Sequence, residues 1–169
     1  MTVKKEVYRQ AASVLLLRPS AVCSSEGRGK HYEVLLLHKP RKRDAWQLPQ
    51  GGVEEGEDIE KAALRELQEE AGIAQVTVVG RSREVYQYDF PASYRRFRPD
   101  HVRGQRIAYV FAVAMGDVPV TVDQQEIDGF VWVSLEQLPH YIRRRAYEDL
   151  VRRLVQEAQQ YFPHVTPQS

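Results

Sequence analysis

The sequence predicts an α/β fold, because segments typical of buried strands alternate with two amphipathic helices along 169 residues. Apolar and β-branched residues dominate segments 7–18, 32–39 and 106–115, as in buried strands. An acidic helix with one apolar side is predicted over 58–72. An apolar repeat at helical spacing runs from Tyr147 to Phe162, and we expect it to pack against the sheet.

Composition and charge limit the classes of protein to which this chain can belong. Its 24 basic and 23 acidic side chains give a net charge of +1, so any electrostatic recognition is expected to be local. The single cysteine, Cys23, cannot form an internal disulfide, in keeping with a reducing, cytoplasmic setting. No apolar run is long enough to span a bilayer, and no signal peptide is apparent. We expect one domain over residues 1–169 with no membrane association and no obligate protein partner, and the sequence leaves a homodimer open.

The stretch from Gly51 to Ile73, GGVEEGEDIEKAALRELQEEAGI, joins a glycine-rich loop to the acidic helix. Asp58 is a favourable N-cap and Gly72 is favourable just after a helix, so the helix is predicted between them. At about 100° per residue it has a buried, an acidic and a solvated face. The acidic face consists of Glu66, Glu69 and Glu70.

Three carboxylates on adjacent turns repel one another, and the C-terminal half of a helix disfavours negative charge. A hard divalent cation removes both effects. Mg²⁺ suits such a site best, because a few carboxylates commonly hold it together with substrate phosphates and water. The alternative interpretation is a solvated acidic face without a ligand.

The same stretch resembles a complete Nudix box, with the pattern G-x5-E-x7-R-E-U-x-E-E-x-G-U, where U is aliphatic. The matching residues are Gly51, Glu57, Arg65, Glu66, Leu67, Glu69, Glu70, Gly72 and Ile73. The resemblance implies an α/β/α sandwich with a mixed central sheet, the box loop-helix and a C-terminal helix. It also implies a hydrolase of nucleoside diphosphates linked to another moiety, working with Mg²⁺ or Mn²⁺.

The resemblance assigns metal ligation to Glu66, Glu69 and Glu70, together with the main-chain carbonyl of Gly51. Glu57 and Arg65 would form an ion pair that braces the loop against the helix. That role is structural, as is that of Gly72.

Segments outside the box resemble one branch of the family, the bacterial RNA pyrophosphohydrolases and the related dinucleoside tetraphosphate (Ap4A) hydrolases. The similar segments are Tyr8-Arg9, WQLPQGG at 46–52, Gly104-Gln105, EIDGFVWVS at 126–134 and 143–147. By this resemblance Glu126 is a further metal ligand or the base that activates water, and Glu69 is the other candidate base. The implied substrate contacts are Arg9, Gln50 and Arg143 for phosphate and Ile142 near the base.

Two departures from the branch bear on the substrate. The loop between the first two strands is longer than in the RNA-acting members, and Ile142 stands where they tend to carry an aromatic ring. The sequence therefore leaves open an Ap4A-type substrate and 5′-triphosphorylated RNA. An ADP-ribose or oxidised-nucleotide pyrophosphatase is the alternative within the family. A non-catalytic nucleotide-binding module is the alternative of another class, and it would be expected to have lost box acids.

Basic and aromatic segments supply further candidate substrate contacts. A basic run, either solvated surface or a phosphate contact, consists of Lys39, Arg41, Lys42 and Arg43. Tyr86, Tyr88 and Phe90 alternate onto one face of a predicted strand over 76–90, either a half-buried face or a stacking surface for a base. The segment 91–106 mixes arginines with aromatic rings, which suits a nucleotide or an RNA 5′ end as well as a solvated loop.

Two local signals concern the C-terminal part of the chain. Residues 134–137 have a capping-box pattern, so a short helix is predicted there, ended by Pro139. Three arginines at 143–145 precede the last helix, where the dipole disfavours cations. They need an anionic partner, which is either Glu148 with Asp149 or a substrate phosphate.

Overall fold

A computed structural model describes residues 7–20, 31–40, 45–95 and 101–162. Within these ranges the strands are β1 (Val7–Pro19), β2 (Tyr32–His38), β3 (Trp46–Gln47), β4 (Gln50–Gly52), β5 (Thr77–Asp89), β6 (Val102–Val113) and β7 (Gly129–Val133). The helices are α1 (Ile59–Ala71), α2 (Ala92–Arg95), α3 (Leu138–Tyr141) and α4 (Arg145–Ala158), with a 3₁₀ turn at Leu135–Gln137.

The strands form one mixed sheet in which β1 is the central member. The main path runs β3-β2-β1-β6-β5, with β4 paired to β1 and β7 paired to β2. Strand β1 runs parallel to β6, from Val7 opposite Val102 to Leu17 opposite Val113. The other pairs among the described strands are antiparallel. The β1–β4 pairing holds the start of the box loop, because Gly51 lies opposite Ala12.

The two faces of the sheet are covered by different helices. Alternate residues of β1 belong to separate clusters, as expected for a strand buried on both faces. One cluster joins β1 to α1 and includes Ala12, Val14, Leu16, Ala62, Ala63, Leu67 and Ala71. The other joins β1 to α4 and includes Ala11, Leu15, Leu17, Leu150, Val151, Leu154 and Ala158. The predicted α/β/α sandwich with a mixed sheet is confirmed.

Local sequence signals locate the ends of α1 correctly. The Asp58 side chain accepts a hydrogen bond from the Lys61 N–H at 2.8 Å. Gly72 has a φ of 66°, in the left-handed region, and its N–H donates to the Gln68 carbonyl at 2.9 Å. Segment 76–90 forms one strand, β5, with register irregularities on either side of Gly80 and Arg81.

The prediction that Pro139 ends a helix is wrong. The 3₁₀ turn ends at Gln137, whose side chain accepts from the Ser134 N–H at 3.0 Å. Pro139 instead lies in the first turn of α3, where a missing N–H leaves no helical hydrogen bond unmade. Among the described residues, no helix combines the length and apolar character needed to cross a membrane.

Candidate active site

The three box glutamates of α1 lie in different environments. Glu70 is buried, with 3% of its surface exposed. The side chain of Glu66 is 13% exposed and that of Glu69 is 59% exposed. The predicted acidic face is therefore buried to different degrees from one glutamate to the next. The helix turns Glu66 and Glu70 toward the sheet and the box loop, and Glu69 toward solvent.

Burial and like charge act together on the buried carboxyl groups. Burial raises the pKa of Glu70 to about 8; Lys39 opposes this rise, and Glu66 and Glu126 add to it. Burial also raises the pKa of Glu66, although Arg65 opposes it. Glu126 acts on both groups, so the fold brings it close to α1 despite its distance in sequence. The charge that favours a cation here is that of Glu66, Glu70 and Glu126.

The backbone at the start of the box loop lies against the carboxylates of Glu66 and Glu70. The Gln50 N–H lies 3.4 Å from Glu70 Oε2. A β-carbon on Gly51 would collide with the carboxylate of Glu66, so this close approach requires glycine. The predicted carbonyl ligand and the first predicted carboxylate ligand are thus neighbours in the fold.

The donor set has the chemistry of a site for a hard divalent cation, namely carboxylate oxygens and a main-chain carbonyl. As they stand, no three His, Cys, Asp or Glu side chains of the described residues are grouped closely enough to hold a metal ion. Arg65 Nη1 donates to Glu66 at 2.9 Å and to Glu69 at 3.3 Å. The ligand roles stay predictions for Gly51, Glu66, Glu69, Glu70 and Glu126.

The predicted ion pair between Glu57 and Arg65 is present and bidentate. Arg65 Nε donates to Glu57 Oε2 at 2.8 Å, and Nη2 donates to Oε1 at 2.9 Å. Nη2 also donates to the Gly52 carbonyl at 2.8 Å. Hydrogen bonds from Arg65 hold the pKa of Glu57 at about 2. One arginine on α1 therefore fixes two points of the box loop.

We expect Glu57→Gln to reduce the loss of stability in acid. The folded-state pKa of Glu57 lies below its ordinary value of 4.5, so its contribution is complete above that pH and is lost as the pH falls toward about 2. The variant lacks this contribution at every pH, so its unfolding midpoint should fall less between pH 5 and pH 2. Circular dichroism melts across this range measure the effect.

The matched control is Glu55→Gln, an exposed carboxylate of the same loop. Its unfolding midpoint should fall between pH 5 and pH 2 as much as that of the wild type. If the unfolding midpoint of Glu57→Gln fell as much as that of the wild type over this pH range, the role given to the ion pair would be contradicted.

A turn built by Asp123 positions Glu126, and the sequence analysis missed it. Asp123 Oδ1 accepts from the N–H groups of Gln125, Glu126 and Ile127 at 2.9, 3.0 and 3.0 Å. These hydrogen bonds hold the pKa of Asp123 below its ordinary range. Ile127 is fully buried and anchors the end of the turn. The available signal was an aspartate three residues before Glu126, a residue type that is typical of an Asx turn.

Asp128, which follows Ile127, connects this turn to β2. The Asp128 carboxylate pairs with Nδ1 of His38, and the Asp128 N–H donates to the His38 carbonyl at 3.1 Å. Lys39 follows His38, and its charge acts on Glu70. The other predicted members of the basic run, Arg41, Lys42 and Arg43, lie outside the described residues, as does Cys23.

A cavity of about 320 Å³ adjoins the carboxylates. Gln50 connects the cavity to the carboxylates, because it lines the cavity and its N–H faces Glu70. Four predicted substrate contacts line it: Gln50, Tyr86, Tyr88 and Ile142. Arg144, one of the three arginines suggested as phosphate contacts, also lines it. Further lining residues, which sequence reasoning did not place in the site, are Trp46, Gln47, Ile107, Tyr109 and Tyr147.

Two arginines lie near this cavity. Burial raises the pKa of Tyr88, and the charges of Arg144 and Arg9 oppose that rise. A β-carbon on Gly52 would collide with the Arg9 guanidinium, so Arg9 lies over the box loop. Arg144 lines the cavity, whereas Arg143 is exposed and does not.

One of the two carboxylates suggested as partners for the arginines at 143–145, Glu148, contacts another arginine. Glu148 accepts from Arg152 Nη2 at 2.9 Å, one turn further along α4. The Arg144 guanidinium lies 5.8 Å from the centre of the Tyr147 ring. Contact of these arginines with a substrate phosphate stays a prediction.

The predicted aromatic face of β5 continues into α2 as a row of rings. Ring centres are separated by 5.6 Å from Tyr86 to Tyr88, by 5.8 Å from Tyr88 to Phe90 and by 5.0 Å from Phe90 to Tyr94. The first two rings line the cavity, and the row leads away from it. Of the predicted basic-aromatic segment 91–106, residues 96–100 lie outside the described ranges.

The mixed sheet, the two helices that cover it and the acidic loop-helix define an α/β/α sandwich. The NUDIX domain profile matches residues 8–154, so the chain belongs to the Nudix family and is a pyrophosphohydrolase. Among solved structures, an Ap4A hydrolase binary complex from C. elegans superposes with a TM-score of 0.69 at 23% identity, over 90% of this chain and 99% of that one. Enzymes of this family generally need a divalent metal ion.

Sequence relatives are similar over most of the chain. An RNA pyrophosphohydrolase of Caulobacter vibrioides is 40% identical over 116 residues, covering 63% of this chain and 67% of that protein. An RNA pyrophosphohydrolase of Novosphingobium aromaticivorans is 39% identical over 156 residues, covering 85% of this chain and 90% of that protein.

Proposed function

We propose that the protein is an Mg²⁺-dependent RNA pyrophosphohydrolase of the cytoplasm, which releases pyrophosphate from 5′-triphosphorylated RNA. Mn²⁺ is the alternative ion. The observation that carries this proposal is the position of Gln50. This residue lines the aromatic cavity, and its N–H faces the Glu70 carboxylate. A base in the cavity would place its 5′ phosphates beside Glu66, Glu70 and Glu126. The named relatives at 39–40% identity support RNA as the substrate.

The proposed division of labour follows the geometry. Glu66 and Glu70, with the Gly51 carbonyl, would hold the ion. When bound, a divalent ion neutralises charge on phosphate oxygens and acidifies the attacking water. Glu126 is the preferred base, since the other candidate, Glu69, accepts a hydrogen bond from Arg65 at 3.3 Å.

The cationic side chains would hold the phosphates in place for this reaction. Arg9 lies over Gly52 of the box loop, and Arg144 lies at the cavity. Lys39 acts on Glu70 from the β2 side. These three positive charges fit a substrate that carries several negative charges.

If Glu126 acts as proposed, Asp123→Ala should lower kcat about tenfold, or about 1.4 kcal/mol of barrier, with KM nearly unchanged. The substitution removes the acceptor of three backbone N–H groups that shape the Glu126 turn. Asp123→Asn keeps a side-chain oxygen and should restore most of the activity. Steady-state kinetics of the variants test this expectation.

The matched control is Asp117→Ala, an exposed aspartate on the same connection between β6 and β7. It should leave both constants unchanged. A KM effect without a kcat effect in Asp123→Ala would contradict the positioning of Glu126 by this turn.

A second candidate function is hydrolysis of Ap4A-type dinucleotides. The row of rings from Tyr86 to Tyr94 favours it, because the row offers stacking surface beyond the cavity for a second nucleoside. Ile142, which lines the cavity in place of an aromatic ring, also favours a substrate other than RNA.

A competition assay distinguishes RNA pyrophosphohydrolase activity from Ap4A hydrolase activity. Equal amounts of Ap4A and a 5′-triphosphorylated RNA oligomer are supplied with Mg²⁺, and initial rates of ATP formation and pyrophosphate release are compared. Faster pyrophosphate release supports the proposed function, and faster ATP formation favours the second candidate. ADP-ribose and an oxidised deoxynucleoside triphosphate, assayed in parallel, test the alternatives within the family. Nucleotide binding without turnover of any substrate would indicate a non-catalytic module.

A further inference from the structure

Ser13 is the only polar residue in the buried run of β1 from Ala11 to Leu17. It is 0% exposed, and it lies opposite Gln50 of β4 on one side and Tyr109 of β6 on the other. Its hydroxyl donates to the Pro49 carbonyl at 3.0 Å. A buried hydroxyl is unfavourable unless it has a partner, so an apolar residue would be the simpler choice here. The hydrogen bond to Pro49 is therefore the property that distinguishes Ser13 from its neighbours in β1.

The Pro49 carbonyl accepts a second hydrogen bond, from the Val14 N–H at 2.9 Å. Backbone N–H groups of a strand lie in the sheet, whereas side chains stand roughly perpendicular to it. The two donors therefore reach the carbonyl oxygen from different directions. One hydrogen bond alone lets a peptide plane turn about that bond, and a second from another direction holds the plane. The Ser13 hydroxyl thus fixes the orientation of the peptide between Pro49 and Gln50.

The opposite side of this peptide faces Glu70. The peptide bond is trans and planar, so its N–H points away from its carbonyl. The Gln50 N–H lies 3.4 Å from Glu70 Oε2, which is long for a hydrogen bond. A small turn of the peptide plane would break such a contact. The donors on the Pro49 carbonyl therefore decide whether the N–H on the other side reaches the Glu70 carboxylate.

We propose that Ser13 is a positioning residue, which orients the Pro49–Gln50 peptide so that its N–H holds the Glu70 carboxylate in place for a divalent ion. The inference rests on the proposed function, because it gives Glu70 the role of a metal ligand. Carboxylates that bind metal ions are themselves held by hydrogen bonds, and loss of such a partner weakens the metal site. Ser13 is fully buried, so it acts through the peptide and contacts neither the ion nor the substrate.

The test compares Ser13→Ala with Ser82→Ala, a matched control. Ser82 is the other buried serine among the described residues, and its hydroxyl donates to Glu157 at 2.6 Å, between β5 and α4. Each variant loses one hydrogen bond from a buried hydroxyl, so both should have a lower unfolding midpoint than the wild type. Only Ser13→Ala should bind Mg²⁺ more weakly, by about fivefold. Isothermal titration calorimetry with Mg²⁺ alone, in the absence of substrate, measures this binding.

Two further measurements distinguish positioning from a loss of stability. The Mg²⁺ concentration for half-maximal hydrolysis of 5′-triphosphorylated RNA should rise about fivefold in Ser13→Ala, with kcat at saturating Mg²⁺ nearly unchanged. In the metal-free protein, hydrogen exchange followed by NMR should show a faster Gln50 amide in Ser13→Ala. The reference is the Val53 amide, which donates to the Gln10 carbonyl at 2.9 Å and should keep its wild-type rate relative to Gln50 in Ser82→Ala.

Wild-type Mg²⁺ affinity in Ser13→Ala, or an equal loss of affinity in Ser82→Ala, would overturn the inference. Hydrolysis of RNA by the wild type would leave the proposed function intact in either case. If Ser13→Ala does not fold, Ser13→Cys decides, because a thiol has a similar shape but is a weak donor. Its Mg²⁺ affinity should be lower than that of the wild type, and an unchanged affinity would overturn the inference.

The wild type itself separates the inference from the proposed function. If it hydrolyses Ap4A and not the RNA, the proposed RNA function fails, and Mg²⁺ binding by the same variants still decides the role of Ser13. If it binds no Mg²⁺ and hydrolyses neither substrate, the proposed function and this inference are overturned together.

Discussion

Glu70→Gln is expected to fold normally and to lose about a thousandfold in turnover, which corresponds to about 4 kcal/mol of barrier. Glu70 is the most deeply buried of the box glutamates, and the Gln50 N–H faces its carboxylate. A neutral amide lacks the negative charge with which a carboxylate binds a hard divalent ion. Initial rates with saturating Mg²⁺ and substrate measure the loss.

The same substitution should preserve or slightly raise the unfolding midpoint. Burial and the neighbouring Glu66 and Glu126 raise the pKa of Glu70, so an ionised carboxylate at this position is disfavoured in the absence of a cation. A neutral glutamine of similar shape removes that repulsion. Glu60→Gln, exposed on the first turn of α1, is the control and should retain full activity. Wild-type turnover by Glu70→Gln would contradict the metal assignment.

Gly51→Ala is expected to lower kcat/KM by about a hundredfold, or about 2.7 kcal/mol. The added β-carbon collides with the Glu66 carboxylate. Gly51 cannot easily retreat, because β4 pairs with β1 at Ala12. The flexible end of Glu66 must move instead, so the damage should fall on ion binding more than on folding. The Mg²⁺ concentration for half-maximal activity should rise, and an activity titration with Mg²⁺ measures this shift.

Gly129→Ala is a matched control for this substitution. A β-carbon there would meet its nearest neighbour, His38 Cβ, at 3.7 Å, which is ordinary van der Waals contact. Activity and Mg²⁺ dependence should be those of the wild type. If Gly51→Ala kept the wild-type Mg²⁺ titration, the placement of its backbone beside a metal ligand would be wrong.

The features that the sequence predicted well are those set by neighbouring residues. Asp58 and Gly72 define the ends of α1 because capping uses only the adjacent turn. The alternation of Tyr86, Tyr88 and Phe90 follows from the period of a strand and is present in the ring contacts. Family resemblance supplied the pairing of Glu57 with Arg65, which spans loop and helix.

The features that the sequence did not predict depend on packing between distant segments. Helical spacing treats Glu69 and Glu70 alike, and only the contact of α1 with the sheet and box loop buries one and exposes the other. Three consecutive arginines give no hint that Arg144 lines the cavity and Arg143 does not.

The parallel pairing of β1 with β6 has a consequence for how the chain folds. Val7 pairs with Val102 and Leu17 with Val113, so this ladder joins segments about ninety-five residues apart. Contacts of such long range slow folding, because a large loop must close before they form. During synthesis β1, one of the most apolar segments of the chain, has no β6 partner until residue 113 has emerged from the ribosome. Until then its unpaired edge is a site for aggregation, and a nascent chain of this protein is a natural client for chaperones.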